Sequence, residues 1–188
     1  EPFDVFICYK ETDHAGKRTI DSVLAQEIYY NLKNEGFKVF FSKITLEDKL
    51  GTAYEPYIFA ALNSAKAMVV LGSKREFFNS VWVKNEWSRY LKMIEAGEEK
   101  TLVPCFKGIS PYDMPKEFKH LQAQDLGKIG AIQDLIYGIE KIISKNESSV
   151  VIVPSSDEAK IEGYLKRAKM ALDDKDFVGA KELLEKIF

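Results

Sequence analysis

The chain has 188 residues, 46% of them apolar and 30% charged. That balance suits one well-cored domain with a small appendage and excludes a disordered chain. The net charge of −2 implies no broad basic surface, so neither nucleic acid nor an anionic membrane is an expected partner, although a local positive site could hold a small ligand's phosphates.

From the N-terminus, Asp4–Tyr9 is a short apolar run of the kind a strand covered on both faces requires. A polar loop follows from Lys10 to Ile20, containing Gly16, and Asp21 is the expected N-cap of a helix in which Leu24, Ile28 and Leu32 recur at helical spacing before Gly36 ends it. Phe37–Ser42 is the second predicted strand and Lys43–Gly51 a charged loop. Pro56 suits the first turn of a helix running to about Ser64. Ala65–Leu71 is the third strand, broken by Gly72-Ser73. Ser80 opens a long helix to about Ala96, with Trp82, Trp87, Leu91 and Ile94 among its apolar positions. Thr101–Phe106 and the weaker Leu121–Leu126 are the fourth and fifth strands, and Ile132–Ile143 is the last helix of this unit.

Repeated strand–helix units predict an α/β fold: a five-stranded parallel sheet, order 2-1-3-4-5, between two helical layers, in the flavodoxin-like manner. Ligands are then expected at the carboxyl ends near strands 1 and 3. The composition changes after Lys145. Residues 1–145 are read as the α/β domain, 146–156 as a polar linker in which Val150–Val153 could add a short strand, and 157–188 as an α-helical hairpin. The Ala168–Ala180 segment resembles a tetratricopeptide-type repeat, which implies further repeats beyond it; a solitary hairpin docked on the domain is the plainer alternative. No apolar run approaches a membrane span, and no charged leader or cleavage site opens the chain. It begins at Glu1-Pro2 without a methionine, so an excerpt of a longer protein is expected.

Cys8 and Cys105 lie in strand-like apolar runs. Buried thiols in a reducing, cytoplasmic compartment are expected. With one strand between them they stand about 9–10 Å apart, too far for a disulfide. His14 and His120 have no metal-ligand spacing around them, so no metal site is expected. Glycine-rich dinucleotide and phosphate loops and a G-x-S-x-G elbow are absent, which leaves dehydrogenase, P-loop NTPase and serine hydrolase readings without support. What remains is Ser80-Val81-Trp82-Val83-Lys84-Asn85-Glu86. Trp82 and Glu86 are one helical turn apart on one face, so an indole stands beside a carboxylate and can shape a site for a flat cationic group. Spacing alone favours a plainer arrangement, in which the tryptophan is core and Glu86 pairs with Arg89 for roughly 0.2–0.5 kcal/mol.

Four segments in this order resemble TIR domains: Phe3-Asp4-Val5-Phe6-Ile7-Cys8-Tyr9 their first strand, Gly36–Ser42 followed by Leu46 and Gly51 their second strand and BB loop, Ser80–Glu86 the S-x-W-x-x-x-E helix of their NAD-cleaving members, and Leu102-Val103-Pro104-Cys105 their fourth strand. The resemblance covers about residues 3–144 and is nearer in style to bacterial TIR proteins than to animal receptor tails. It implies an NAD⁺ glycohydrolase, with NAD⁺ as substrate and no cofactor, that releases nicotinamide and ADP-ribose or a cyclic ADP-ribose isomer. Homotypic TIR–TIR association would activate it, and antiphage defence is the implied setting. Carried over, Glu86 is the catalytic residue and Trp82 packs against the nucleotide. Tyr9 and Lys10 match an aromatic-basic pair at the end of strand 1, and Ser42, Lys43 and Leu46 fall on the BB loop that lines the site. Lys10 stands where arginine is common, which keeps a charge for phosphate but loses the bidentate fork. The loop Glu11–Arg18 receives no role. Two other readings stand beside the enzyme: a non-catalytic adaptor or effector acting by TIR–TIR binding, which would not need Glu86 beside Trp82, and a nucleotide-sugar hydrolase or transferase sharing only the frame.

Overall fold

The computed structural model describes residues 2–42 and 55–147, all within one compact unit, Glu1–Ser149. The linker 146–156 and the hairpin 157–188 lie outside the described residues, but for the end of the last helix. The sheet order is β2-β1-β3-β4-β5 and every pairing is parallel, as the strand–helix repetition predicts. Its strands are β1 (Val5–Cys8), β2 (Val39–Phe40), β3 (Ala67–Gly72), β4 (Thr101–Phe106) and β5 (Gln124–Asp125). Among the described residues the α-helices are α1 (Ile20–Asn34), α2 (Glu55–Ser64), α3 (Arg75–Phe78), α4 (Val81–Glu95) and α5 (Ala131–Glu147).

β1, β3 and β4 carry the apolar runs and occupy the middle of the sheet, where burial on both faces favours them. Alternate residues of each feed two cores. Val5, Ile7, Val69, Leu71 and Cys105 pack against α1 and α5, whereas Phe6, Cys8, Met68, Val70 and Leu102 pack against α2, α3 and α4. The edge strands are shorter than their apolar patterns predict. Only two of the six residues in 37–42 and two of the six in 121–126 join the ladder, because an edge strand has a single neighbour to pair with. Cys8 and Cys105 are buried free thiols on β1 and β4, with β3 between them.

Two local details depart from the sequence reading. The N-cap of α1 is Thr19, whose side chain accepts from Ser22 N. Asp21 lies inside the helix, fully buried, and its Oδ1 accepts from Ser73 N at 2.9 Å across the loop after β3. A tertiary donor thus takes the carboxylate that local capping statistics assign to the helix end. At the other end Gly36 follows the C-cap with φ of 88°, the left-handed position that favours glycine.

Candidate active site

α4 owes its rotation about its own axis to a buried stripe of Val83, Glu86, Trp87 and Tyr90. The spacing is that of an amphipathic helix, with a carboxylate in an apolar position. Trp87 anchors the stripe: its indole donates to Phe78 O at 2.9 Å and its ring meets Phe118 edge-on. Tyr90 donates to Ala65 O at 2.9 Å. Ser80 is the N-cap residue, yet its hydroxyl donates backwards to Phe77 O. Of the apolar positions expected on this helix, Trp87 is core, Leu91 and Ile94 are partly buried, and Trp82 sits at the margin, 38% exposed.

Glu86 is 7% exposed. Its partners are the Trp82 indole on the preceding turn and the Cys8 thiol at the end of β1. Arg89 does not pair with it; that guanidinium lies over the Phe59 ring, 4.5 Å from the centroid. The stripe turns Glu86 inward while Arg89 stays over the aromatic surface, so the expected ion pair does not form. Burial pushes the Glu86 carboxyl up to about 7, and the Cys8 and Trp82 hydrogen bonds oppose that rise. The Cys8 thiol, which also faces Val83 O at 3.6 Å, is raised well above its ordinary value by burial and then by the Glu86 charge.

A cavity of about 210 Å³ opens over this carboxylate, lined by Phe6, Ile7, Tyr9, Lys10, Glu11, Thr12, Phe40, Ser42, Trp82, Val83 and Glu86. Five residues singled out from the sequence therefore meet in one place: Glu86, Trp82, Tyr9, Lys10 and Ser42. Lys43 and Leu46 lie outside the described residues. The Tyr9 hydroxyl is 3.3 Å from Ser42 Oγ, and its ring stacks on Phe41, so Tyr9 ties the ends of β1 and β2 together and acts as a wall. Among the described residues lining the cavity, Lys10 is the one cation. The cavity sits at the carboxyl ends of β1 and β2 rather than between β1 and β3. Among the described residues β3 itself contributes nothing to the lining, and α4, the second helix after it, supplies Trp82, Val83 and Glu86.

Glu11 and Thr12 received no role from the sequence motifs, although Glu11 stands just beyond a strand's carboxyl end, where parallel sheets place ligand sites, and Cys8 was read only as a packing thiol of the first strand. The loop that carries Glu11 and Thr12 is a small hairpin. Thr12 and Arg18 form an antiparallel bridge, Asp13 Oδ1 accepts from Ala15 N and Lys17 N, and Thr19 bonds back to Lys10 O and Glu11 O. Among the described residues no group of three or more His, Cys, Asp or Glu side chains could hold a metal ion, and no helix is long and apolar enough to cross a membrane.

The TIR domain family model matches residues 5–136. Solved structures with the same frame include the TIR domain of the Toll-related receptor TRR-2 from Hydra magnipapillata, at 18% identity over 73% of this chain and 98% of that one, with a TM-score of 0.53. The TIR domains of the activated Roq1 resistosome match at 17% identity over 75% and 99%, with a TM-score of 0.54. A metazoan TIR-STING receptor from C. gigas matches at 19% identity over 92% of this chain and 48% of its own, with a TM-score of 0.51. At these identities the likeness is one of fold. No curated protein matches the chain.

Proposed function

This chain belongs to the TIR domain family, and from that premise we propose that it is an NAD⁺ glycohydrolase in which Glu86 is the catalytic residue. One observation carries the reading: a buried carboxylate, paired with the indole one turn before it, faces a cavity at the carboxyl ends of β1 and β2. In the reaction the bond between ribose C1′ and the nicotinamide nitrogen breaks, and its electron pair neutralises the pyridinium. The leaving group departs without protonation, so one carboxylate suffices where ordinary glycosidases use two. Glu86 holds the ribose hydroxyls and stabilises the oxocarbenium-like charge, an interaction strengthened by the dry surroundings. Water then adds at C1′ and loses a proton, giving ADP-ribose; attack from within the same nucleotide gives a cyclic isomer instead.

The described cavity is smaller than the ~300–1,000 Å³ of common ligand sites and suits the nicotinamide–ribose end. Trp82 would pack on the flat base, Tyr9 and Ser42 form the wall, and Lys10 would face a phosphate. Lys43 and Leu46 belong to the same proposal through the family resemblance. A cytoplasmic setting, where thiols stay reduced, fits buried free Cys8 and Cys105. Activation by TIR–TIR association and a role in antiphage defence complete the reading.

A second reading, a non-catalytic module acting by TIR–TIR binding, is favoured by another observation. Ile20, Val23 and Tyr30 are each about half exposed on α1, an apolar surface that protein contact would bury. Product analysis separates the two. Concentrated protein is incubated with NAD⁺ beside Glu86→Ala, and nucleotides are resolved by chromatography with mass detection. Nicotinamide release that disappears in the variant supports the enzyme, and the co-product distinguishes linear from cyclic chemistry. No release, even under crowding, leaves the adaptor.

A further inference from the structure

Glu11 lines the cavity but has no part in the reaction outlined above. Its two carboxylate oxygens differ in their surroundings. Oε1 is 3.7 Å from Arg18 Nε. Arg18 is itself held by α1, donating to Ser22 Oγ at 3.1 Å, Ser22 O at 3.2 Å and Gln26 Oε1 at 3.0 Å. The other oxygen, Oε2, is buried and has no hydrogen-bond partner among the described residues. A buried acceptor left without a donor is costly, and native proteins rarely keep one without a reason. The hairpin bonds between Thr19 and the Lys10 and Glu11 carbonyls hold the backbone of Glu11 at the cavity rim, and its side chain is 37% exposed, so a rotation of the carboxylate is enough to bring Oε2 to a ligand in the cavity.

The ligand group that satisfies Oε2 must be a donor. Phosphate is repelled by a carboxylate, and an apolar group leaves the oxygen unpaired. A sugar hydroxyl supplies the missing hydrogen, the pairing by which an acidic side chain recognises ribose in dinucleotide sites of other folds. We propose that Glu11 is a second substrate-binding residue of this site, whose Oε2 accepts a hydroxyl hydrogen from the ribose that enters beside Glu86, with Arg18 as the residue that positions it. The inference rests on the glycohydrolase reading. It adds a residue that holds the sugar in ground state and transition state alike, distinct from the charge stabilisation assigned to Glu86.

The test is a cycle between side chain and hydroxyl. Nicotinamide release is measured for the wild type and Glu11→Ala, with NAD⁺ and with its analogues lacking the 2′- or the 3′-hydroxyl of the nicotinamide ribose. The expected result is a KM for NAD⁺ raised at least about tenfold in Glu11→Ala with kcat changed far less, as lost uniform binding requires. In addition, one analogue should lose affinity on the wild type but not on the variant. A KM within twofold of wild type, or the same analogue penalty on both proteins, overturns the proposal. Glu11→Leu, which keeps the bulk and removes both acceptor oxygens, replaces alanine in the cycle if that variant does not fold. If the wild type releases no nicotinamide, the glycohydrolase reading fails and this one with it. If the wild type cleaves NAD⁺ and Glu86→Ala does not, while Glu11→Ala behaves as wild type, only the assignment of Glu11 fails.

Discussion

The thiol of Cys8, at the last position of β1, lies against the carboxylate of Glu86 in the second turn of α4. One thiol proton faces two acceptors, Glu86 and Val83 O, in a site where the carboxyl is pushed up to about 7 by burial. The ionised form is the one that stabilises a cationic transition state, so nicotinamide release should rise with pH through about 7. Cys8→Ala removes a donor to the carboxylate and should move the midpoint of kcat against pH upward. Cys8→Ser, whose hydroxyl is a stronger donor than a thiol, should move it down. Equal midpoints in all three proteins would exclude a role for the thiol.

The same shift has a consequence for stability. In the folded protein Glu86 holds its proton up to about 7, whereas an unfolded glutamate releases it near its ordinary value. The stabilising effect of that proton is therefore complete below the ordinary glutamate range and is lost as pH rises through about 7. Glu86→Gln has no such dependence. At pH 8 it should be more stable than the wild type by roughly 2–4 kcal/mol at most, with the advantage shrinking at pH 5, as read by denaturant unfolding at both pH values.

Trp82→Phe keeps an aromatic ring at the cavity margin and deletes the indole donor to Glu86. The carboxyl then loses one of the two groups that favour its charged form. Nicotinamide release at pH 6.5 should fall more than at pH 8.5, and a uniform loss at both would show that Trp82 acts through its ring alone.

Gly72 closes β3 where a Cβ would stand 2.2 Å from the Phe78 ring. That ring is fully buried, packs edge-on with Phe118, and its carbonyl accepts the Trp87 indole. It has no room to yield. Gly72→Ala should cost about 1–3 kcal/mol by overpacking, seen as a lowered thermal midpoint, and should loosen α4 and with it the Glu86 stripe.

Asp21 is fully buried, and burial raises its pKa against the Ser73 hydrogen bond and the Lys74 charge. Asp21→Asn keeps an acceptor for Ser73 N without the buried charge and should match or exceed wild-type stability at pH 8. Asp21→Ala strands that N–H and should lose about 1–3 kcal/mol. Calorimetry of the three proteins checks both signs.

Much of this was open to reading in the chain itself. The apolar runs at Asp4–Tyr9, Ala65–Leu71 and Thr101–Phe106 identify the strands buried on both faces, and their alternation with helical periods leads to the observed strand order. Trp82 and Glu86 share a helix face by spacing alone. The rotation of that face was less accessible, because a list of apolar positions that includes Trp82 hides the stripe Val83, Trp87, Tyr90 to which Glu86 belongs. Asp21 was assigned to the helix cap by local chemistry, and only the approach of Ser73, 52 residues away in the chain, withdraws it into the interior.

The chain alone specifies the fold class and the order of elements, since these follow from local periodicity and from the handedness of parallel crossovers; Tyr9, Lys10 and Ser42 were reached through the family resemblance, and topology pointed to strands 1 and 3 rather than to β1 and β2. Only the folded chain shows that Glu86 turns inward to Cys8 rather than outward to Arg89, that Tyr9 and Ser42 join two strand ends, and that Glu11, at the cavity rim, keeps one buried carboxylate oxygen without a hydrogen-bond partner. The reason is physical: burial and the choice of hydrogen-bond partner depend on atoms distant in the chain, and the shift of a carboxyl to about 7 comes from the absence of water, which no local pattern records.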